Sequence, residues 1–258
     1  MVARTAPLPN VRRMFVPDPG HVLADADLRL ADLQIVIWES GDVGLKTLLR
    51  QGVDLHIVNA CELLKVPVPP LDELVEDKHP NYPEHKARYG KQRKFSKRWI
   101  HGTDYGGMPR TMAIAAGITV AESERLQARW FAMHPGIKQW HDRTREAVER
   151  KREIRNVFGY RRVFFDRGEQ VFREALAWTP QSIVGRVINT GLVALDKSVY
   201  EPLLQVHDSL VIQFPDTIPV PEAKATIRAA MEVPIPYPDP LTIPVSVKCS
   251  ATSWGHCE

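Results

Sequence analysis

The sequence predicts an α/β protein of the α+β type, in which an antiparallel sheet with packed helices is joined to a mostly helical subdomain. Three observations carry this. Residues 203–214 place two apolar runs on either side of a His207-Asp208-Ser209 step, the pattern of two short buried strands joined by a hairpin turn. Residues 21–27 read as a strand feeding a helix at 28–40, where Leu30, Leu33 and Ile37 are spaced for one packed face. The stretch from 43 to 140 is patterned for helices instead. With 258 residues the chain can bury a sizeable core, as one domain or as a domain with a subdomain.

In order, residues 1–20 are rich in Pro and Arg and form an irregular lead-in carrying Arg12 and Arg13. The first strand ends on Asp25 and Asp27. Asp32 follows in the first turns of the helix, where a carboxylate suits the positive end of the helix dipole. Residues 43–64 predict two short helices broken near Gly52, with Asp54 as N-cap of the second. Residues 71–89, polar and interrupted by Pro80 and Pro83, read mostly as loop. A basic, helix-permissive run then spans Lys86, Arg88, Lys91, Arg93, Lys94, Lys97 and Arg98 and continues to Tyr105. Gly106-Gly107 and Pro109 stop it. Residues 108–140 hold two or three helical runs broken at Gly117 and Pro135-Gly136, and a basic helix follows at 138–152. Residues 156–165 predict a hairpin turning at Gly159. A helix at 170–177 resumes after Thr179-Pro180, a Thr N-cap with Pro at the first position, and runs to about 200. One more helix at 221–232 and a last strand at 241–247 complete the chain.

The bulk properties narrow the function classes. A formal charge of +3 is too small to prove a nucleic-acid partner, so the distribution of charge matters more than its sum. No stretch is long and apolar enough to span a membrane, and no signal-like segment opens the chain. Cys61, Cys249 and Cys257 are widely spread, which predicts reduced thiols and a cytoplasmic setting, bacterial or, for a virus, in the host. His256-Cys257 lacks a second pair at zinc-ligand spacing.

Arg93, Lys97, His101 and Tyr105 recur every four residues and so line one slowly turning helix face. Two cations, an imidazole and a phenol in a row suit a polyphosphate with a stacked base. A plain solvated basic face does not account for Trp99, Ile100 and Tyr105. Carboxylates at Asp27 and Asp208 add complementary chemistry, because Mg²⁺ takes one or two protein carboxylates and completes its shell with phosphate and water. Two such ions can activate a hydroxyl and stabilise a leaving pyrophosphate.

These segments resemble motifs A, B and C of family A DNA polymerases, the DNA polymerase I group with its phage and mitochondrial relatives. Motif A is Asp27 with Asp32. Motif B is Arg93, Lys97, His101-Gly102 and Tyr105-Gly106, and motif C is Val206-His207-Asp208. The likeness extends to Pro9-Asn10 through Pro17, Asp54-Leu55-His56, Phe158-Gly159-Tyr160-Arg161-Arg162, Arg173, Gln181 and the stretch from Ile243 to Trp254, nearly the whole chain in order.

The resemblance implies roles. Asp27 and Asp208, with the backbone carbonyl of Leu28, hold two Mg²⁺ ions, for which Mn²⁺ can substitute. Asp25 rivals Asp27 but lacks an acidic residue at the family spacing. Arg93 and Lys97 bind the dNTP triphosphate, and Lys97 protonates the pyrophosphate. Tyr105 closes on the templating base, and His101 stands beside the sugar. Asp32 occupies the position of the ribose gate. His207, Arg173 and Gln181 contact primer and minor groove, while Arg161 and Arg162 hold duplex phosphates. The implied activity is primer extension on a primer-template, with release of pyrophosphate.

Departures from the family pattern carry expectations of their own. Asp32 replaces a Glu, which predicts weaker sugar discrimination. His101 replaces Phe or Tyr, Ser209 a Glu, and Ala177 an Asn, while Pro180 is displaced by one residue. The resemblance implies palm in 1–42 and 141–258 and fingers in 43–140, without thumb or exonuclease domains. Low processivity is therefore expected unless a second chain supplies the missing part. Two other readings compete. One is a single-subunit RNA polymerase or primase-like enzyme, which the acid at position 32 argues against. The other is a non-catalytic binding remnant or one half of a split polymerase.

Overall fold

The computed structural model describes residues 10–75, 78–196 and 198–257. In chain order, β1 (His21–Leu28) leads to α1 (Ala31–Ser40), α2 (Val43–Arg50), α3 (Leu55–Leu64), α4 (Tyr82–Arg88) and α5 (Gly90–Asp104). Next come α6 (Pro109–Ala116), α7 (Val120–Met133), α8 (Pro135–Glu146), the short strands β2 (Glu153–Arg155) and β3 (Arg161–Val163), and α9 (Glu169–Leu195). The remainder is β4 (Glu201–Val206), β5 (Ser209–Pro215), α10 (Val220–Met231), β6 (Pro234–Ile235), β7 (Leu241–Thr242) and β8 (Val245–Ser250). The predicted class, an antiparallel sheet with packed helices and a helical subdomain, is the observed one.

Described residues within 1–32 and 181–258 form one compact unit, and those within 33–180 form another. The first unit is built on a four-stranded sheet in the order β4-β5-β1-β8, antiparallel throughout. Its central strands earn their place by burial: Leu23, Ala24, Ala26 and Leu28 of β1 and Leu210 to Phe214 of β5 are nearly inaccessible. Each fully buried Leu, Val, Ile or Phe side chain is worth about 1.5–3 kcal/mol against leaving it in water. Helix α10 buries Ala223, Ile227 and Met231 and is tied to β8 by polar bonds. Arg228 Nε donates to the Val245 carbonyl at 3.1 Å, and the Val245 N–H donates to Glu232 at 3.0 Å.

In the second unit, α3 is buried around nearly its whole circumference. Val53, Ile57, Val58, Cys61, Leu74, Tyr82 and Tyr89 form one apolar cluster around it. A separate cluster of Val148, Ile154, Phe164, Val171 and Ala175 seats the β2–β3 hairpin on α9. All three cysteines are unpaired thiols. Among the described residues no helix is long and apolar enough to cross a membrane.

Several element expectations need correction. The helix after β1 begins at Ala31, because Leu30 takes a left-handed conformation (φ 53°) that ends the strand first. Residues 71–89 are not mostly loop: Leu71–Leu74 forms a 3-10 turn and Tyr82–Arg88 a helix. Pro83 lies in that helix's first turn, where no N–H is required of it, and buried Leu74 and Tyr82 hold the segment down. The basic run is broken at Tyr89, which ends α4 and starts α5.

The helix expected from residue 138 begins at Pro135 and continues into a π-turn over Ala147–Lys151. The second hairpin turns near Gly159 as predicted, with β3 inside the predicted segment, but its first strand lies earlier, at Glu153–Arg155, and Asn156 lies in the turn, accepting from the N–H groups of Phe158 and Tyr160. Thr179-Pro180 does not restart a helix. Helix α9 runs unbroken from Glu169 to Leu195 with Pro180 inside it, at the cost of one backbone bond that packing on both sides offsets. The last strand is interrupted: β7 pairs with β6, and β8 begins after Pro244. The segment 203–206 is a strand but not a buried one, because β4 is the edge of its sheet and leaves Leu203 and Leu204 exposed.

Candidate active site

Antiparallel pairing of β1 with β5 brings Asp27 and Asp208 together. Asp27 is in register with Ser209, and the N–H of Leu28 donates to the Asp208 carbonyl at 3.0 Å. Two acids that lie far apart in sequence are thus fixed by backbone alone, Asp27 on β1 and Asp208 in the turn that opens β5. The Asp27 side chain is exposed, that of Asp208 half-buried, and Leu28 buried. His207-Asp208 is a two-residue turn closing the β4–β5 pair at Val206 and Ser209. His207 takes φ 53°, a strained value for a residue with a Cβ. The hydroxyl of Ser209 donates to the Val206 carbonyl at 3.1 Å, so the residue standing where relatives carry a Glu here closes the turn.

Asp25, the rival ligand, is engaged elsewhere. The Trp254 indole N–H donates to its Oδ2 at 2.8 Å, and Arg12 approaches the same oxygen at 3.8 Å. Arg12 also stacks on Trp254, 4.4 Å from the ring centroid. Asp25 ties the turn carrying Arg12 to the one carrying Trp254, whereas the Asp27 side chain is exposed. Asp32 sits in the first turn of α1, as its position predicts.

The second group of residues lies on α5. Arg93 is half-buried and Lys97 and His101 are exposed along the helix, with Tyr105 at its C-terminal end. The His101 and Tyr105 rings meet at 4.5 Å between centroids. Trp99 and Ile100 face inward and are buried, which is why a purely solvated basic helix did not suit the pattern. Gly106 turns the chain at φ 74°, and a Cβ there would come within 3.1 Å of Leu176 Cδ1 and 3.2 Å of Arg173 Cγ. The backbone after Tyr105 therefore lies directly on α9, beside Arg173.

Two features here escaped the sequence reading. The first is the environment of Arg93. Its Nε donates to Asp54 Oδ2 at 2.8 Å, and the same oxygen accepts from the Tyr82 hydroxyl at 3.0 Å. Asp54 Oδ1 caps α3 through the N–H groups of His56 and Ile57 at 2.9 and 3.3 Å. His56 is buried, and its Nε2 has no hydrogen-bond partner. Burial and then the charges of Arg93 and Lys97 push its pKa down to about 4, against an opposing pull from Asp54. The Asp54-Leu55-His56 likeness was visible in sequence, but nothing there linked it to a helix about forty residues on.

The second feature is Asp104, fully buried directly before Tyr105. Burial pushes its carboxyl up to about 7, although the Trp130 indole N–H, donating at 2.9 Å, pulls the other way. The Asp104 carbonyl accepts from His141 Nε2 at 2.8 Å, which requires the proton on that nitrogen. Burial holds His141 neutral, with its pKa pushed down to about 4.

The remaining predicted contacts are dispersed. Arg173 bonds Gln170 at 2.8 Å on α9, and Gln181 is exposed farther along the same helix. Arg161 and Arg162 are adjacent on β3, so strand alternation turns them to opposite faces. They approach Glu153 at 3.5 Å and Glu174 at 3.0 Å. Such exposed pairs are worth little and yield to a phosphate readily.

The donor set at Asp27 and Asp208 fits a hard divalent cation, since both are carboxylates on one rigid ladder and at least partly open to solvent. Among the described residues no three His, Cys, Asp or Glu side chains gather into a metal-binding cluster.

Comparison with known proteins places the chain in context. A family model described as DNA polymerase family A matches residues 2–256. The thermostable DNA polymerase I of Thermus filiformis is 28% identical over 250 residues, covering 92% of this chain and 28% of that protein. The DNA polymerase of Mycobacterium phage D29 is 25% identical over 257 residues, covering 98% of this chain and 38% of its own length. The chain thus spans between about a quarter and two fifths of these relatives. In fold it matches the POL domain of Pol1 from M. smegmatis, solved in complex with DNA primer-template and dNTP. The TM-score is 0.77 at 23% identity, over 96% of this chain and 42% of that one.

Proposed function

Because the chain belongs to DNA polymerase family A, we propose that it extends a primer 3′-hydroxyl with dNTPs on a DNA template and releases pyrophosphate. The observation that supports the reading best is the 3.0 Å bond from the Leu28 N–H to the Asp208 carbonyl, which seats the turn carrying Asp208 against the end of β1 carrying Asp27. These two carboxylates, with the carbonyl of Leu28, would hold two Mg²⁺ ions, or Mn²⁺ in their place. When bound, the ions lower the pKa of the primer hydroxyl and neutralise charge on the pyrophosphate.

The chain's own residues do the rest. Arg93 binds the triphosphate through its planar guanidinium. Lys97, an exposed ammonium one turn on, supplies charge and then a proton to the leaving pyrophosphate. His56, buried within electrostatic range of Arg93 and Lys97, adds an imidazole that an arriving phosphate would help to protonate. The paired rings of His101 and Tyr105 form the ledge for sugar and base, and Asp32 is the gate against the 2′-hydroxyl. His207 contacts the primer end, while Arg173, Gln181, Arg161 and Arg162 hold the duplex. The functional partition, palm in 1–42 and 141–258 and fingers in 43–140, belongs to this reading, as does a cytoplasmic site of action.

Primer extension with Mg²⁺, offering dNTPs or rNTPs, tests it. Incorporation of dNTPs that is lost in Asp208→Ala, without loss of fold, supports the proposal. Preferential use of rNTPs would favour an RNA polymerase-like enzyme. Extension undiminished in Asp208→Ala would sink the assignment of the site.

A further inference from the structure

We infer that Asp54 is a positioning residue for nucleotide binding: it sets the guanidinium of Arg93 so that an incoming triphosphate meets an oriented donor. The inference rests on the reading of Arg93 as a phosphate ligand.

The geometry is specific. The Asp54 carboxylate is 1% exposed and takes four donors, two on each oxygen. Oδ1 is committed to the N-terminus of α3. Oδ2 is held by Tyr82, itself 3% exposed, and by Arg93 Nε. Both α3 and Tyr82 belong to one apolar cluster, so Oδ2 cannot move without disturbing packed side chains. A bond to Nε fixes the plane of the guanidinium and does not draw on its terminal nitrogens, the pair that grips phosphate in a fork. Without that bond, the guanidinium plane loses the anchor at Nε, and part of its ordering is deferred to each binding event.

Charge alone predicts the opposite effect. Asp54 is an anion close to cations that are to bind an anion, so removing its charge should strengthen phosphate binding. Positioning predicts weakening, and the two accounts differ in sign.

The test is calorimetric titration of the full chain with inorganic tripolyphosphate at low salt. The proteins are wild type, Asp54→Asn, Tyr82→Phe, Arg93→Ala and the Asp54→Asn/Arg93→Ala double variant. Asn keeps the Oδ1 acceptor for α3 but presents an amide to Arg93. The expected result is about 10-fold weaker binding for Asp54→Asn, in the range for a lost charge-assisted bond, with a smaller loss in the same direction for Tyr82→Phe. In the double variant Asp54→Asn should add nothing to the loss from Arg93→Ala. Thermal unfolding shows whether Asp54→Asn is folded, and where it is not, Tyr82→Phe carries the test. Tighter binding in Asp54→Asn, or losses that multiply in the double variant, overturn the role of Asp54 while leaving Arg93 as a ligand. An Arg93→Ala variant that binds like wild type overturns both readings.

Discussion

Asp104 gives the sharpest quantitative expectation. Its carboxyl is fully buried and has its pKa raised from 3.8 to about 7, chiefly by burial. Well below pH 3.8, both folded and unfolded states carry the proton, and ionisation costs nothing. As the pH rises from about 4 towards 7, the unfolded chain ionises and the folded one does not, so stability falls. Above about 7 the whole penalty is present. About three pK units correspond to roughly 4 kcal/mol. Asp104→Asn cannot ionise, yet keeps an oxygen for the Trp130 indole. Its extra amide costs about 1–3 kcal/mol if left unpaired, but that offset does not vary with pH.

Urea unfolding followed by tryptophan fluorescence from pH 4 to 8.5 reads the difference between the two proteins. His56 and His141, both depressed to about 4, lose stability for the fold as pH falls through 6.5. They do so in both proteins, and their effect cancels. The stability of the variant relative to wild type should rise by roughly 4 kcal/mol across the range, mostly between pH 4 and 7. Parallel curves would refute the reasoning, since Asp104 would then titrate alike in both states.

Other expectations follow from the site. Asp32→Glu should raise discrimination against rNTPs in single-nucleotide incorporation, and unchanged selectivity would remove Asp32 from the gate. His207→Asn should leave thermal stability within about 0.5 kcal/mol, because Asn tolerates a left-handed φ, while reducing extension. His207→Val should lose about 1–2 kcal/mol, and equal stability of the two variants would show that the turn is unstrained. For His56, anion binding should raise the depressed pKa, so tripolyphosphate affinity should grow as pH falls towards about 4. Calorimetry in buffers of different ionisation enthalpy should show proton uptake that His56→Gln diminishes, and equal uptake in both would rule out His56 as its source.

Much of the fold was legible because periodicity reports burial. The breaks at Gly52, Gly117 and Pro135 marked real helix ends, and Asp54 is the predicted N-cap. Failures came where tertiary packing outweighed local signals. Pro180 reads as a helix start, yet α9 continues through it. Leu203 and Leu204 read as core, yet lie on an edge. The spacing along α5 placed Arg93, Lys97, His101 and Tyr105 on one face, since such spacing is local. The Asp54–Arg93 bond joins two helices, and the bond from Trp254 to Asp25 joins residues 229 positions apart. No window of sequence contains either. Nothing in the sequence marks Asp104, because burial of a carboxylate leaves no trace in its spacing.

The edge position of β4 has a consequence for how this protein coexists with its neighbours. A strand with exposed Leu203 and Leu204 and an open row of backbone donors would recruit a strand from another chain. Pro202 contributes no N–H, and the register shifts between Pro202 and Leu204, so the row is interrupted where an intruder would first pair. The irregularity lies on the arm that delivers His207 and Asp208. The turn can stay open to a large polymer while its supporting strand remains a poor template for aggregation.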